Sequence, residues 1–370
     1  DDWDPLNQGS PHSPEQLPFT KAMADKLADK GWLTLAWPEE YGGQARSIME
    51  QTVYREEMTY WGVPGTDLGT GAIGWVGPVL MISGTEEQKS EHLPPIANAE
   101  RYWCTLYSEP GSGSDLASLQ TSAVRDGDDY IINGQKIWTS SGHIADWGWL
   151  AARTDPDAPK HRGISLFMLD MKSQGVTVRP IVNMAGSHEF NEVYFDNVRV
   201  PKGNLVGEEN RGWYTLAVAL DFERSGVGYS ASARRTLETL VKYAKETERN
   251  GKPLSEDPNV RHKLAERKIE IEVSRWLSYQ VAWMQSQDMV PNAEASMSKL
   301  FGTELTQKVA LTGMDILGMT GQLSKGSKWA PLQGYIQRLS LSSVSSTIAA
   351  GTSEIQRDII ARRGLGLPRA

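Results

Sequence analysis

The spacing of apolar residues changes twice along this 370-residue chain. From about Pro14 to Ile96 it is mostly helical, with Ala22, Met23 and Leu27, then Trp32 and Leu33, at intervals that fall on one helix face. Ser13-Pro14 offers an N-cap and a first-turn proline. A second helix is expected from near Ile48 to Trp61, and Thr85 caps a third. Between Gly62 and Gly84, several glycines with Pro64 and Pro78 predict a helix that is short, weak or broken. Trp37-Pro38-Glu39-Glu40-Tyr41-Gly42-Gly43 reads as a loop.

Between about Trp103 and Pro201 the period falls to two. Strands are expected at Thr121–Arg125, Tyr130–Ile132, Lys136–Ser140, Trp147–Ala152, Ile164–Asp170, Val176–Pro180 and Val193–Val198. Asn133-Gly134 between two of them is the preferred pair for a type I′ hairpin turn. From about Arg211 the helical period returns in longer pieces, near Gly212–Glu248, Asn259–Gln287, Pro291–Leu317 and Val344–Arg362. Strands do not alternate with helices, so a doubly wound parallel sheet is disfavoured. The expected class is α+β, in three parts: an N-terminal helical domain (1–101), a middle β-barrel or sandwich (102–205) and a C-terminal four-helix bundle (206–370).

Composition narrows the field mainly by exclusion. A net charge of −8 argues against nucleic acid as a partner, and no apolar run approaches the roughly 20 residues of a membrane span. One cysteine, Cys104, excludes a disulfide framework and fits a reducing, cytoplasmic setting; no signal-peptide pattern is present. Six scattered histidines lack ligand spacing, so no metal is expected.

The chemistry is concentrated in two segments. Tyr107 to Asp115 reads YSEPGSGSD, a turn of glycine, proline and short hydroxyl side chains entered from Tyr102, Trp103 and Leu106. Some thirty residues on, INGQKIWTSSG brings Trp138, Ser140 and Ser141 to the same neighbourhood. An aromatic wall beside hydroxyls and backbone N–H groups suits a planar heterocycle such as a flavin. The glycine-serine turn is not a dinucleotide fingerprint, because Leu116 stands where the third glycine belongs and strands follow instead of a helix.

With the C-terminal AAGTSEIQRDIIAR and the early GWLTLAWPEEYGG, these motifs resemble the acyl-CoA dehydrogenase family over essentially the whole chain. The resemblance implies FAD as cofactor, an acyl-CoA substrate and α,β-dehydrogenation to the 2-enoyl-CoA, with electrons leaving to an electron-transfer flavoprotein. It puts Thr105, Leu106, Tyr107, Ser108, Gly113 and Ser114 against the flavin, with Ser108 near N5. Trp138, Thr139 and Ser140 would cover the rest of the ring, and Ser114 would also touch substrate. Arg249, Thr352 and Glu354 are further cofactor positions by the same likeness.

Two departures matter. Much of the family has a glutamate base just before the Gly-Thr pair of the C-terminal motif, where this chain has Ala350. A second arrangement, as in isovaleryl-CoA and long-chain dehydrogenases, takes the base from a helix, and Leu220-Asp221-Phe222-Glu223-Arg224 matches it. Glu223 is therefore the candidate base, with Asp221 and Arg224 on the substrate side. At the adenosine end, Arg249 is kept, but Asn250-Gly251-Lys252-Pro253 and Asp315-Ile316-Leu317-Gly318-Met319 replace the usual Phe-Gly and Gln-x-x-Gly-Gly segments. An aspartate beside a pyrophosphate is unfavourable. Either a homotetramer has a remodelled adenosine site or, the preferred reading, this is one subunit of an α2β2 heterotetramer whose other chain completes it. The glycines of Asp67–Ser83 would open space for a branched or steroid acyl group. A non-catalytic scaffold subunit and an acyl-CoA oxidase are the competing functions.

Overall fold

The computed structural model describes residues 13–69, 71–219 and 225–368. They fall into a sheet unit, from residues 9–46 and 64–223, and a helical unit, which takes residues 47–63 together with the chain from 224 on.

In the sheet unit the strands are β1 (Trp103–Leu106), β2 (Ser122–Asp126), β3 (Asp129–Lys136), β4 (Trp147–Arg153), β5 (Ile164–Asp170), β6 (Val176–Val182), β7 (His188–Pro201) and β8 (Leu205–Val206). They hydrogen-bond in the order β6-β7-β3-β2-β4-β5-β8, with β1 parallel to β4. Alternation sends Cys104, Leu106, Tyr130, Ile132 and Phe167 into one apolar core. Among its described residues this unit holds the helices α1 (Leu17–Ala28), α3 (Gly77–Ser83), α4 (Glu86–Ala97) and α5 (Gly212–Ala219). Helix α4 starts with the reciprocal Thr85/Gln88 cap. Its His92 is buried edge-on against Trp147 (4.7 Å) and Trp103 (5.5 Å), with Arg101 Nη1 3.1 Å from Nδ1. Burial, then the Arg101 charge, pushes His92 down to about 4.

The hairpin expected at Asn133-Gly134 is not there. The β2–β3 turn falls at Gly127-Asp128, closed by the Asp126–Asp129 pair, and β3 runs straight through 133–134. Opposite it, β7 carries an extra residue, and Asn197 has φ +50°. The Asn133 side chain holds that bulge by accepting from Asn197 N–H (2.8 Å). Gly134 is required because a Cβ there would lie 2.8 Å from Thr121 Cα.

The helix expected to be short or broken between Gly62 and Gly84 is so, but its glycines do not do what was expected of them. Residues Ala72–Val76 form a wide π-helical turn that leads into α3, and Trp37 Nε1 donates to the Ile73 carbonyl (3.1 Å). Gly77 lies under the Trp37 ring, where a Cβ would come within 2.0 Å, and Gly69 lies 2.1 Å from the Trp103 carbonyl by the same measure. These two glycines admit tryptophan and backbone; they do not open space.

The helical unit contains α2 (Ile48–Trp61), α6 (Val227–Glu246), α7 (Pro258–Ser286), α8 (Asn292–Leu317), α9 (Tyr335–Ser342) and α10 (Ser353–Ile359). Helix α2 is capped by Ser47 and Glu50 and packs on α6 and α7, where buried Glu56 accepts from Arg275 Nε and from Tyr279 (both 2.5 Å). The piece expected as one helix over 212–248 divides into α5 and α6, and the turn at Ala350 (φ +53°) and Gly351 (φ +86°) interrupts the one expected over 344–362. The chain does make an Asn-Gly hairpin, at Asn250-Gly251, between β9 (Glu248–Arg249) and β10 (Lys252–Pro253), with both central φ angles positive.

Candidate active site

The two segments singled out above are tied together by a buried ion pair. Beyond β1 the chain makes a tight turn, closed by Glu109 N–H to Ser112 O (2.9 Å) and Ser112 N–H to Glu109 O (3.1 Å). The Glu109 carboxylate points inward and accepts from Thr121 N–H (2.9 Å), Gln120 N–H (2.6 Å) and Lys136 Nζ (2.8 Å). Lys136 is fully buried at the end of β3 and also donates to the Tyr107 carbonyl (3.0 Å). Next to it, Ile137 N–H donates to Ser108 O (2.9 Å). So Lys136 and Ile137 clip YSEPGSGSD onto the strand that leads to Trp138. Burial opposes both charges. It pulls Lys136 down to about 8 against the pull of Glu109; at Glu109 the Lys136 charge and the three donors outweigh it and hold the carboxyl below its usual range.

Beyond Lys136 the expected strand stops. Trp138 takes φ +61° and Ser141 φ +62°. A left-handed tryptophan is rare and costs about 1–3 kcal/mol. The ring is 57% exposed and rests edge-on against Phe190 (6.1 Å). Thr139 N–H donates to Asn191 O (3.0 Å), Asn191 Nδ2 to Thr139 O (3.0 Å) and Ser141 N–H to Glu189 O (3.1 Å), so the turn is pinned to β7.

Around this clip lie most of the expected ring residues. Thr105, Tyr107, Ser108 and Ser140 are half-buried, and Gly113 and Ser114 are exposed. Leu106 turns its side chain into the apolar core, leaving only its main chain for a ligand. Asp115 is held by Ser118 and Lys160, the latter at 2.8 Å. Asp221, Glu223 and Arg224 lie outside the described residues.

Arg249, Thr352 and Glu354 belong to the helical unit. Arg249 Nη2 donates to the Ile316 carbonyl in the last turn of α8 (3.0 Å). Asp315 is paired with Lys263 (2.8 Å), and Met319 is 88% exposed. Thr352 is the N-cap of α10 and accepts from Ile355 N–H (3.2 Å); Glu354 is exposed in its first turn. Half-buried Lys299 fixes the preceding loop through Gly351 O (2.7 Å) and Ser346 O (3.2 Å).

Residues 10–100, 104–198 and 210–365 match in turn the family descriptions "Acyl-CoA dehydrogenase, N-terminal domain", "middle domain" and "C-terminal domain". The chain belongs to the acyl-CoA dehydrogenase family. Acyl-CoA dehydrogenase FadE26 of Mycobacterium tuberculosis is 41% identical over 352 residues, 93% of this chain and 87% of the relative. The Tcur3481-Tcur3483 steroid ACAD superposes with TM-score 0.88 at 39% identity, covering 95% of this chain and 89% of that one. The ChsE4-ChsE5 complex from Mycobacterium tuberculosis gives 0.88 at 38%, covering 97% and 94%. This chain is an oxidoreductase of CH–CH groups that acts on acyl-CoA thioesters, in a family that is FAD-dependent. No helix among the described residues is long and apolar enough to cross a membrane.

The residues fit a flavin ring. Thr139 Oγ1 and Ser112 Oγ are buried with no hydrogen-bond partner. A Cβ on Gly111 or Gly113 would meet no protein atom within 4 Å, and neither has a positive φ, so nothing in the protein itself demands glycine there. Trp138 holds a strained conformation that apolar packing does not explain. Lys136 and Asn191 were not among the residues expected at this site, and Glu109 lay inside the Tyr107–Asp115 segment with no role of its own. Parity was the signal for Lys136, in step with inward Tyr130 and Ile132, and for Asn191, in step with inward Val193 and Phe195.

Proposed function

We propose that the sheet unit holds the isoalloxazine of FAD and that this chain desaturates a bulky acyl-CoA thioester between its α and β carbons. The observation that carries this is the buried Lys136–Glu109 tie, which gathers Tyr107–Ser114 and Trp138–Ser140 into one wall. When bound, FAD supplies the acceptor for the β-hydride at N5. Thr105, Tyr107, Ser108, Gly113, Thr139, Ser140 and the Leu106 main chain bind its ring, and Trp138 shields it. Ser114, Asp221 and Arg224 orient the acyl-CoA. Arg249, Thr352 and Glu354 belong to the cofactor's far end, and the three segments 1–101, 102–205 and 206–370 divide these tasks. Electrons leave to an electron-transfer flavoprotein.

Glu223 removes the α-proton, because Ala350 cannot. The proton is weakly acidic, so the thioester oxygen needs donors as enolate charge develops, and the carboxylate needs surroundings that raise its pKa. Glu223→Gln is expected to lower turnover by about 10²–10⁴-fold with flavin content unchanged. Near wild-type turnover would remove Glu223 from the mechanism.

Kinship to a steroid ACAD supports a polycyclic acyl group. A panel of acyl-CoA thioesters with an artificial electron acceptor is expected to give the highest kcat/KM for a steroid side-chain thioester. A preference for straight chains would overturn that choice. The far end supports a heteromeric enzyme: Arg249 is already engaged as a helix cap, and a tight hairpin follows it. Co-expression with a paralogous chain should give an α2β2 assembly, whereas an active, fully flavinylated homotetramer of this chain alone would exclude it.

A further inference from the structure

The wall residue Trp138 owes its position to a clamp beneath it. Asn191, on β7, is fully buried and grips Thr139 twice, accepting its N–H through the main-chain oxygen and donating Nδ2 to its carbonyl, both at 3.0 Å. The amide cannot turn over. Its Oδ1 lies 2.8 Å from His188 Nε2, and Nδ2 is also 3.3 Å from His143 Nδ1. His188 therefore carries its proton on Nε2, and His143 presents a lone pair at Nδ1. The two rings stack 4.1 Å apart, which backs the amide with a rigid layer. The clamp sits where β7 bulges, with Val182 opposite His188 and Ile181 opposite Phe190. Phe190, next to Asn191 in the chain, is the ring on which Trp138 rests. A left-handed tryptophan persists only where its neighbours over-determine it. Here Ile137 is fixed on one side, and Thr139 and Ser141 on the other.

We propose that Asn191, oriented by His188, is a positioning residue that holds Trp138 in its strained conformation and so sets the face offered to the isoalloxazine. The inference rests on the flavin reading above for its purpose, but not for its geometry. Asn191 reaches the ring face through both Thr139 and Trp138, so removing it should matter less once Trp138 is gone.

The test is a cycle of Asn191→Asp, Trp138→Ala and the double variant in the whole protein, with Asn191→Ala as a second probe of the clamp. Asp keeps the shape and the acceptor for His188 but turns the donor facing Thr139 O into a second acceptor. FAD affinity, measured by titrating flavin-free protein, should fall by about tenfold in each single variant, with the double variant weaker than Trp138→Ala by clearly less than the Asn191→Asp loss alone. Independent losses that multiply, or unchanged affinity in Asn191→Asp, would overturn the proposal. With 5-fluorotryptophan incorporated, the Trp138 ¹⁹F line, assigned by its loss in Trp138→Ala, should shift or broaden in Asn191→Asp before any flavin is added. An unchanged line also overturns it. If the wild type takes up no FAD either alone or co-expressed with a paralogous chain, the functional reading fails and the clamp is judged on the fluorine line.

Discussion

The ring-facing residues of the sheet unit and the far-end residues of the helical unit are held in opposite ways. In the sheet unit, Glu109, Lys136, Thr139 and Asn191 are all buried and bonded across strands, and what they fix faces outward. In the helical unit, Arg249 on β9 caps α8, Thr352 caps α10 and Lys263 on α7 neutralises Asp315 on α8, so these polar groups are spent on helix ends. Buried polar networks are costly unless complete, and they specify one geometry when they are. Helix-end contacts are worth about 1 kcal/mol and change with little consequence. The contrast says that the ring site is structurally committed, whereas the far end is not.

The largest effect that sharpens this contrast is expected at Lys136. Lys136→Met leaves the Glu109 carboxylate buried without its cation, so a loss of about 3–5 kcal/mol is expected in urea melts, together with loss of flavin uptake. Unchanged stability and uptake would show that the tie is not what holds the site. A pH effect follows for the layer that anchors α4. His92 sits at about 4 when folded, below its ordinary 6.5, so the unfolded chain binds its proton first as pH falls. The stability it supports is complete above pH 6.5 and is lost on the way down to about 4, by roughly 3 kcal/mol at most. Stability measured between those pH values should be flatter in His92→Phe. The smallest effect is expected at the far end. Arg249→Ala should cost about 1 kcal/mol of stability or less and, since the far end is complete only in the proposed heteromer, leave flavin affinity of the isolated chain nearly unchanged.

Much of this was legible in the sequence where a local rule and the tertiary environment agree. Helix α2 begins and ends where its periodicity does, and β5 spans the expected Ile164–Asp170. The two Asn-Gly pairs show where such rules stop. At Asn250-Gly251 nothing else competes, and the hairpin forms. At Asn133-Gly134 both neighbouring strands, β2 and β7, claim β3 on either side, so pairing overrides the turn and Asn133 props a bulge instead. Gly69 and Gly77 misled for a related reason, because a glycine in sequence does not say whether it makes space or yields it to a tryptophan. The site's chemistry was legible as motif, and its scaffold was not. Lys136 looks like an ordinary strand lysine until its partner Glu109, 27 residues earlier, comes into view.

One measurement bears most directly on the difference between the two regions. FMN carries the ring and ribityl phosphate of FAD without the adenosine, so comparing the two isolates the far end. Titrated into this chain alone, FMN should bind within about tenfold of FAD, a difference of roughly 1.4 kcal/mol. FAD bound about a thousandfold more tightly than FMN would mean that this chain grips the adenosine itself, and would contradict the division between a committed ring site and an uncommitted far end.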